Sequence, residues 1–178
     1  MPAPPLRLAT LADTQAIGAL VRRSMRGLAA RDYGPEQVEG SLDVLVGVDR
    51  QLLLDGTYYV AEAEGRLVAA GGWSARAQLY GPSREEGGGP LLDPATGAAR
   101  IRAFFVDPSH ARQGLARRIL ERCEATARAR GFRRMELMAL LSGVGFYVAC
   151  GYREMEPAEV ALPGGVTFRA VRMEKELE

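Results

Sequence analysis

Apolar positions recur at helical spacing in two early stretches of the chain, first at Ile17, Leu20, Val21 and Met25 and then at Val38, Leu42, Leu45, Val46 and Leu53. The first set predicts a helix for which Thr10 is a suitable cap, and the second a helix opened by Pro35 and closed at Gly56. Before them, Leu6-Arg7-Leu8-Ala9 alternates as a short strand. After them the period changes from helical to alternating. Residues 57–63 and 66–73 flank Glu64-Gly65 and predict an antiparallel hairpin. Residues 81–99 carry Gly81-Pro82, Gly87-Gly88-Gly89-Pro90 and Asp93-Pro94, which predicts a long irregular loop.

Downstream, Ile101, Ala103, Phe104, Phe105 and Val106 form a run of strand formers stopped by Asp107-Pro108. Helical spacing returns at Leu115, Ile119, Cys123 and Ala127 and ends at Gly131. Residues 134–141 alternate as a strand, and 145–151 read as a short helix closed by glycine. A last hairpin is expected from 154–162 and 166–173 around Pro163-Gly164-Gly165, with the Glu-Lys-Glu end as a solvated tail. The order of elements is that of a single α+β domain over residues 1–178.

The segment 101–130 holds the most chemistry. A helix entered through glycine has no capping side chain, so its first backbone N–H groups lack partners. Those amides, together with the positive end of the helix dipole, suit phosphate oxygens. Arg112, Arg117 and Arg118 add positive charge at the same place. A phosphorylated ligand at residues 111–116 is expected, and on this segment alone an ordinary scaffold with solvated arginines stays open beside it.

Composition narrows the classes. A chain of 178 residues, 47% hydrophobic and 25% charged, suffices for one sizeable core and is short for two. A net charge of +1 speaks against a broad nucleic-acid or membrane surface. No apolar run has the length of a membrane span, and Met1-Pro2-Ala3-Pro4-Pro5 is not patterned as a signal peptide. Cys123 and Cys150 fall on apolar faces of helices and read as buried thiols, in keeping with a cytoplasmic protein. One histidine and two scattered cysteines make no metal-ligand cluster, so no metal is expected. Gly87-Gly88-Gly89 lacks the flanking strand and helix of a dinucleotide loop, and there is no Gly-Lys-Ser/Thr loop for ATP.

In order and motif, the strand, the Arg112-Gln113-Gly114-Leu115-Ala116 loop, the amphipathic helix, the next strand and then Phe146-Tyr147-x-x-x-Gly151-Tyr152 resemble the GNAT superfamily of GCN5-related, acetyl-CoA-dependent N-acetyltransferases. In that family a loop of pattern Arg/Gln-x-x-Gly-x-Gly/Ala cradles the pyrophosphate of coenzyme A. Gly114 and Ala116 match its last two positions, and Ala111 stands at the first. The resemblance implies cofactor contacts from Ala111, Arg112, Gln113, Gly114, Leu115, Ala116 and Arg117. It also implies a mixed, mostly antiparallel sheet of six to seven strands with about four helices, in which strands four and five splay. The backbone of Phe104, Phe105 and Val106 would then pair with the pantetheine arm as though it were an added strand.

The same resemblance gives acetyl-CoA as cosubstrate, a small-molecule or amino-acid-like amine as acceptor, and direct attack of that amine on the thioester. It places Tyr147 near the sulfur as general acid, with Tyr152 structural. Neither a nucleic acid nor a membrane is an expected partner, and a homodimer is left open. The general base is not evident. Many members carry a glutamate early in the fourth strand, where this chain has Arg100-Ile101-Arg102-Ala103. His110 falls near the phosphates, while Glu62, Glu85 and Glu86 read as solvated charges that act, if at all, through water. Tyr33, Trp73 and Tyr80 are candidates for an aromatic acceptor wall, and Glu36, Glu39, Glu85, Glu86 and Asp93 put acid on that side. The missing glutamate and Ala111 support a rival reading, a non-catalytic acyl-CoA-binding module of the same fold.

Overall fold

The computed structural model describes residues 3–45, 49–81, 86–161 and 165–178. Seven strands form one sheet: β1 (Leu6–Leu8), β2 (Tyr58–Ala63), β3 (Arg66–Ser74), β4 (Ala99–Val106), β5 (Arg134–Leu140), β6 (Arg153–Ala161) and β7 (Thr167–Glu176). Their order across the sheet is β1-β2-β3-β4-β5-β7-β6. Every neighbouring pair is antiparallel except β4 and β5, which run parallel. The α+β architecture expected from the sequence is therefore the one observed.

Alternation along the strands sends successive side chains to opposite faces, and each face has its own core. Tyr58 and Val60 of β2 join Ile17, Leu20 and Met25 of α1 (Thr14–Gly27) and Val38 and Leu42 of α2 (Pro35–Leu45). Tyr59 and Ala61 point the other way, toward Leu115, Ile119, Leu120 and Cys123 of α4 (Leu115–Ala129) and Tyr147 of α5 (Leu141–Ala149).

Four boundaries differ from the sequence reading, each for a local reason. The helix expected from Pro35 to Leu53 is two helices, because Asp49 is extended (φ −60°, ψ 99°) and accepts from the Gln51 amide, capping α3 (Arg50–Leu54) anew. Val38, Leu42 and Leu53 are buried as expected, while Val46 and the Leu45 side chain lie outside the described residues. Strand β4 begins at Ala99, the last residue of the expected loop and two before the expected strand, where it pairs with Met135. Helix α5 begins at Leu141 rather than Gly145, and the Tyr33 hydroxyl accepts from the Leu141 amide (2.9 Å) at its start. The predicted solvated tail is strand: β7 runs to Glu176, Lys175 pairs with Glu124 (2.8 Å), and buried Leu177 donates its amide to Arg133 O (2.8 Å). Pro163 and Gly164 of the last turn lie outside the described residues.

Candidate active site

The parallel pair is short. Ala99 faces Met135 and Arg100 faces Glu136, and beyond these two pairs β4 and β5 part. From Ile101 onward none of the described strands lies beside the β5 edge of β4, which leaves that edge able to take another partner. A cavity of about 1250 Å³ occupies the gap, above the usual range of roughly 300–1,000 Å³ for small-molecule sites. It reaches from the start of α4, past the parted strands, to Asp49 and residues 79–81. A smaller depression of about 270 Å³ at Arg7 and Glu62 lies on another part of the surface.

Strand β4 carries an irregularity where it borders this cavity. Phe105 pairs with Ala70 and Arg102 with Gly72, so Ala103 and Phe104 both fall opposite the single residue Gly71. Ala103 has φ +55°, in the left-handed region that costs a residue with a Cβ. A Cβ on Gly71 would lie 2.6 Å from the Phe104 ring, so only glycine lets that ring settle across β3. Phe104 meets Tyr147 edge to face with centroids 6.2 Å apart. Tyr147 also packs on Phe146 (4.9 Å) and Tyr152 (5.6 Å), and burial raises its phenol above the ordinary tyrosine value.

At the other end of the gap, Gly114 stands at the N-cap of α4 with φ +80° and nothing within 4 Å of where a Cβ would be. Arg112 is also left-handed (φ +62°). No side chain caps the helix, so the amides of its first turn remain open toward the cavity. The loop leading there is held by Asp107, which is 3% exposed. Its Oδ1 accepts from the Ser109 amide (3.0 Å) and hydroxyl (2.6 Å), and its Oδ2 from Arg23 Nε of α1 (2.7 Å). Burial works against the charge, but the Ser109 and Arg23 hydrogen bonds hold this carboxylate down at about 2.

Of the predicted cofactor contacts, Phe104, Phe105, Val106, Ala111, Arg112, Gly114, Leu115, Ala116 and Arg117 line the cavity, as does Tyr147. Gln113 does not; its side-chain amide donates to Ser109 O (3.3 Å). The Val106 amide already donates to Ser24 Oγ of α1 (3.3 Å), which takes one donor of the open edge. Arg118 is turned away and donates to Pro4 O (2.7 Å). His110 lines the cavity beside the phosphate-type loop, its Nδ1 2.9 Å from Ser109 Oγ. Cys123 and Cys150 are free thiols.

The acceptor end departs further from the sequence reading. Trp73 is fully buried against Phe132, and Tyr33 is buried with its hydroxyl donating to Arg169 O (2.6 Å), so only Tyr80 of the three aromatics lines the cavity. Glu62 faces Arg7 (3.6 Å) and Glu39 faces Arg26 (2.8 Å); neither Glu36 nor Asp93 reaches the cavity. Glu85 and the Glu86 side chain lie outside the described residues. Among the described residues the lining carboxylates are instead Asp32 and Asp49.

Asp49 meets Arg102 of β4 at 3.0 Å, and both are buried. The same guanidinium donates to Gln78 O (3.1 Å) and to Gly81 O. Burial lowers the Arg102 pKa and Asp49 opposes that shift. Sequence reasoning saw arginines in β4 as the absence of a glutamate. The partner of Arg102 sits 53 residues away in sequence, where no local pattern announces it, while Arg100 faces Glu136 of β5.

Residues 23–152 match the sequence pattern of the Acetyltransferase (GNAT) family, and the chain belongs to that family. Among curated proteins none matches the chain in sequence. Solved structures share the fold. A GCN5-related N-acetyltransferase from Rhodopseudomonas palustris superposes with a TM-score of 0.77 at 21% identity, covering 99% of this chain and 98% of that one. PaiA N-acetyltransferase from Thermoplasma acidophilum, in complex with coenzyme A, gives 0.67 at 13% identity over 98% and 99%. The structure of yncA from Salmonella typhimurium, with its cofactor acetyl-CoA, gives 0.62 at 17% identity over 99% and 95%. Among the described residues no helix is long and apolar enough to cross a membrane, and no group of three or more His, Cys, Asp or Glu could hold a metal ion.

Proposed function

We propose that this protein transfers an acetyl group from acetyl-CoA to the amine of a small-molecule or amino-acid-like acceptor, by direct attack within the β4–β5 gap. One observation carries the reading: a parted strand pair that opens at one end on the uncapped, glycine-entered start of α4. The amides of 114–117 suit the pyrophosphate, with Arg112 and Arg117 beside them, and the bare Gly114 leaves room for its oxygens. The β4 edge at Phe104 and Phe105 suits the amides of a pantetheine arm.

The amine nitrogen bonds to the thioester carbonyl carbon, the carbon–sulfur bond breaks, and the sulfur leaves with the electron pair. Charge grows first on the carbonyl oxygen and then on sulfur. Ala103 and Phe104 fall outside the β3–β4 register pairs, and the backbone donors there are suited to meet the first charge. Tyr147 meets the second: burial keeps its phenol protonated through the neutral range, so it donates to the leaving sulfur. The extra proton on nitrogen in the tetrahedral intermediate passes to solvent, and the Tyr147 phenolate takes a proton back from solvent. An acceptor that arrives as the free amine needs no dedicated base.

Removing the phenol tests this. Tyr147→Phe keeps the ring packing, so acetyl-CoA affinity by calorimetry should change less than about 2-fold. Turnover should fall on the order of 10²-fold or more, and less for a thioester of a more acidic thiol. Equal turnover would remove Tyr147 from the chemistry. Tight acetyl-CoA binding without transfer to any amine of a panel would favour the binding-module reading instead.

A further inference from the structure

The left-handed turn at Ala103 sits inside a strand, where a residue with a Cβ gains nothing by adopting it. The other non-glycine residues with positive φ among the described residues, Glu64 and Arg112, sit in a turn and a loop. Something must hold Ala103 there, and a buried hydrogen bond does so. The Tyr58 hydroxyl donates to the Ala103 carbonyl at 2.7 Å. Tyr58 belongs to β2, two strands away, and is 1% exposed.

Its ring reaches β4 by crossing β3 at Gly72. Tyr58 and Gly72 are register partners, and a Cβ on Gly72 would lie 2.6 Å from Tyr58 Cδ2. Gly71, the next residue, faces the opposite side of the sheet and admits the Phe104 ring there. The Gly71-Gly72 pair thus opens β3 on both faces at one point. Through one face Tyr58 grips the carbonyl of Ala103, and through the other Phe104 lies across toward Tyr147. Burial raises the Tyr58 phenol, so it stays a donor at all working pH values.

We propose that Tyr58 is a positioning residue for acyl transfer: laid across Gly72, its hydroxyl fixes the Ala103 peptide in its left-handed turn and so aims the Phe104 amide and ring into the cavity. This rests on the acetyltransferase reading above. Tyr58 touches no substrate and acts through Ala103. With the hydroxyl gone, the Ala103 carbonyl loses its buried donor, and the turn relaxes toward ordinary strand geometry. The amide then leaves its place while the α4 end of the cavity is undisturbed.

The test is a double-mutant cycle of Tyr58→Phe with Ala103→Gly, because glycine takes a positive φ without the penalty that the hydrogen bond offsets. In the parent background Tyr58→Phe should lower kcat at least 10-fold while KM for acetyl-CoA changes less than 3-fold. In the Ala103→Gly background the same substitution should cost less than 3-fold. Melting temperature is followed in all four proteins, since loss of packing alone would lower stability without being relieved by glycine. A Tyr58→Phe effect of the same size in both backgrounds, or one confined to stability or KM, overturns the proposal. A parent protein that transfers acetyl to no amine and hydrolyses no acetyl-CoA overturns the acetyltransferase reading, and this proposal falls with it.

Discussion

At the α4 end of the cavity the polar lining is mostly main chain: amides of a helix entered through Gly114 and the open edge of β4. At the other end it is side chain, with Arg102, Asp49 and Tyr80 around carbonyls of the 78–81 segment. The difference bears on what each end can recognise. Main-chain donors depend on backbone conformation, so they survive changes in side-chain identity. Side-chain donors carry selectivity, and each substitution redraws them. One end therefore suits a common ligand and the other an individual one.

The largest effect should come from cutting the side-chain end. Arg102→Met removes the cation facing Asp49 and the donor to Gln78 O and Gly81 O. Loss of one member of a buried pair costs about 3–5 kcal/mol, to be read by denaturant unfolding. Acetyl-CoA affinity in the protein that remains folded should shift less than about 3-fold. A loss as large as that from a change at Gly114 would break the division between the two ends.

Gly114→Glu attacks the main-chain end. It forces a left-handed conformation on a side-chain-bearing residue and sets negative charge before the helix amides. Calorimetry should find acetyl-CoA weakened by about 100-fold, roughly 2.7 kcal/mol, at a stability cost of only about 1–2 kcal/mol. Unchanged affinity would move the pyrophosphate elsewhere.

The smallest effect concerns the strut beneath that loop. Asp107 is held at about 2 in the folded protein against an ordinary 3.8. A carboxylate with a lowered folded value stabilises fully above its unfolded pKa and loses that contribution as pH falls through the folded one. Asp107→Asn should therefore cost about 2 kcal/mol at neutral pH, with the gap to wild type closing between roughly pH 4 and pH 2. Urea unfolding across that range measures it. A gap that persists at pH 2 would assign the loss to geometry rather than charge.

The main-chain end was the legible one. Strand, loop and helix from Ile101 to Gly131 follow from period and glycine placement, because the forces that fix them act between residues a few positions apart. The side-chain end was not. Trp73 and Tyr33 looked available for a ligand, yet Trp73 is packed on Phe132 and the Tyr33 hydroxyl is engaged with Leu141 and Arg169. Arg102 finds Asp49, and Tyr58 finds Ala103, only after the sheet has brought them together. Gly71-Gly72 was plain in the sequence, but its use depends on which rings cross there, and that is a tertiary fact. The start of α5 was missed because Ser142 and Gly143 are weak helix formers, while the Tyr33 hydroxyl that accepts from the Leu141 amide comes from far away in sequence.

Two register pairs join β4 to β5, so the ladder alone would make the sheet two plates touching at a corner. The fastener is α4. Its buried residues Leu115, Ile119, Leu120 and Cys123 share one cluster with Ala69 and Trp73 of β3 on one plate and with Met135 and Met173 of β5 and β7 on the other. A slot cut into a plate normally weakens it; here a beam beneath it, sharing one apolar cluster with both sides, takes part of the load. The same beam begins at Gly114, on the lip of the slot. Whatever settles on its first turn presses on the member that keeps the two plates together.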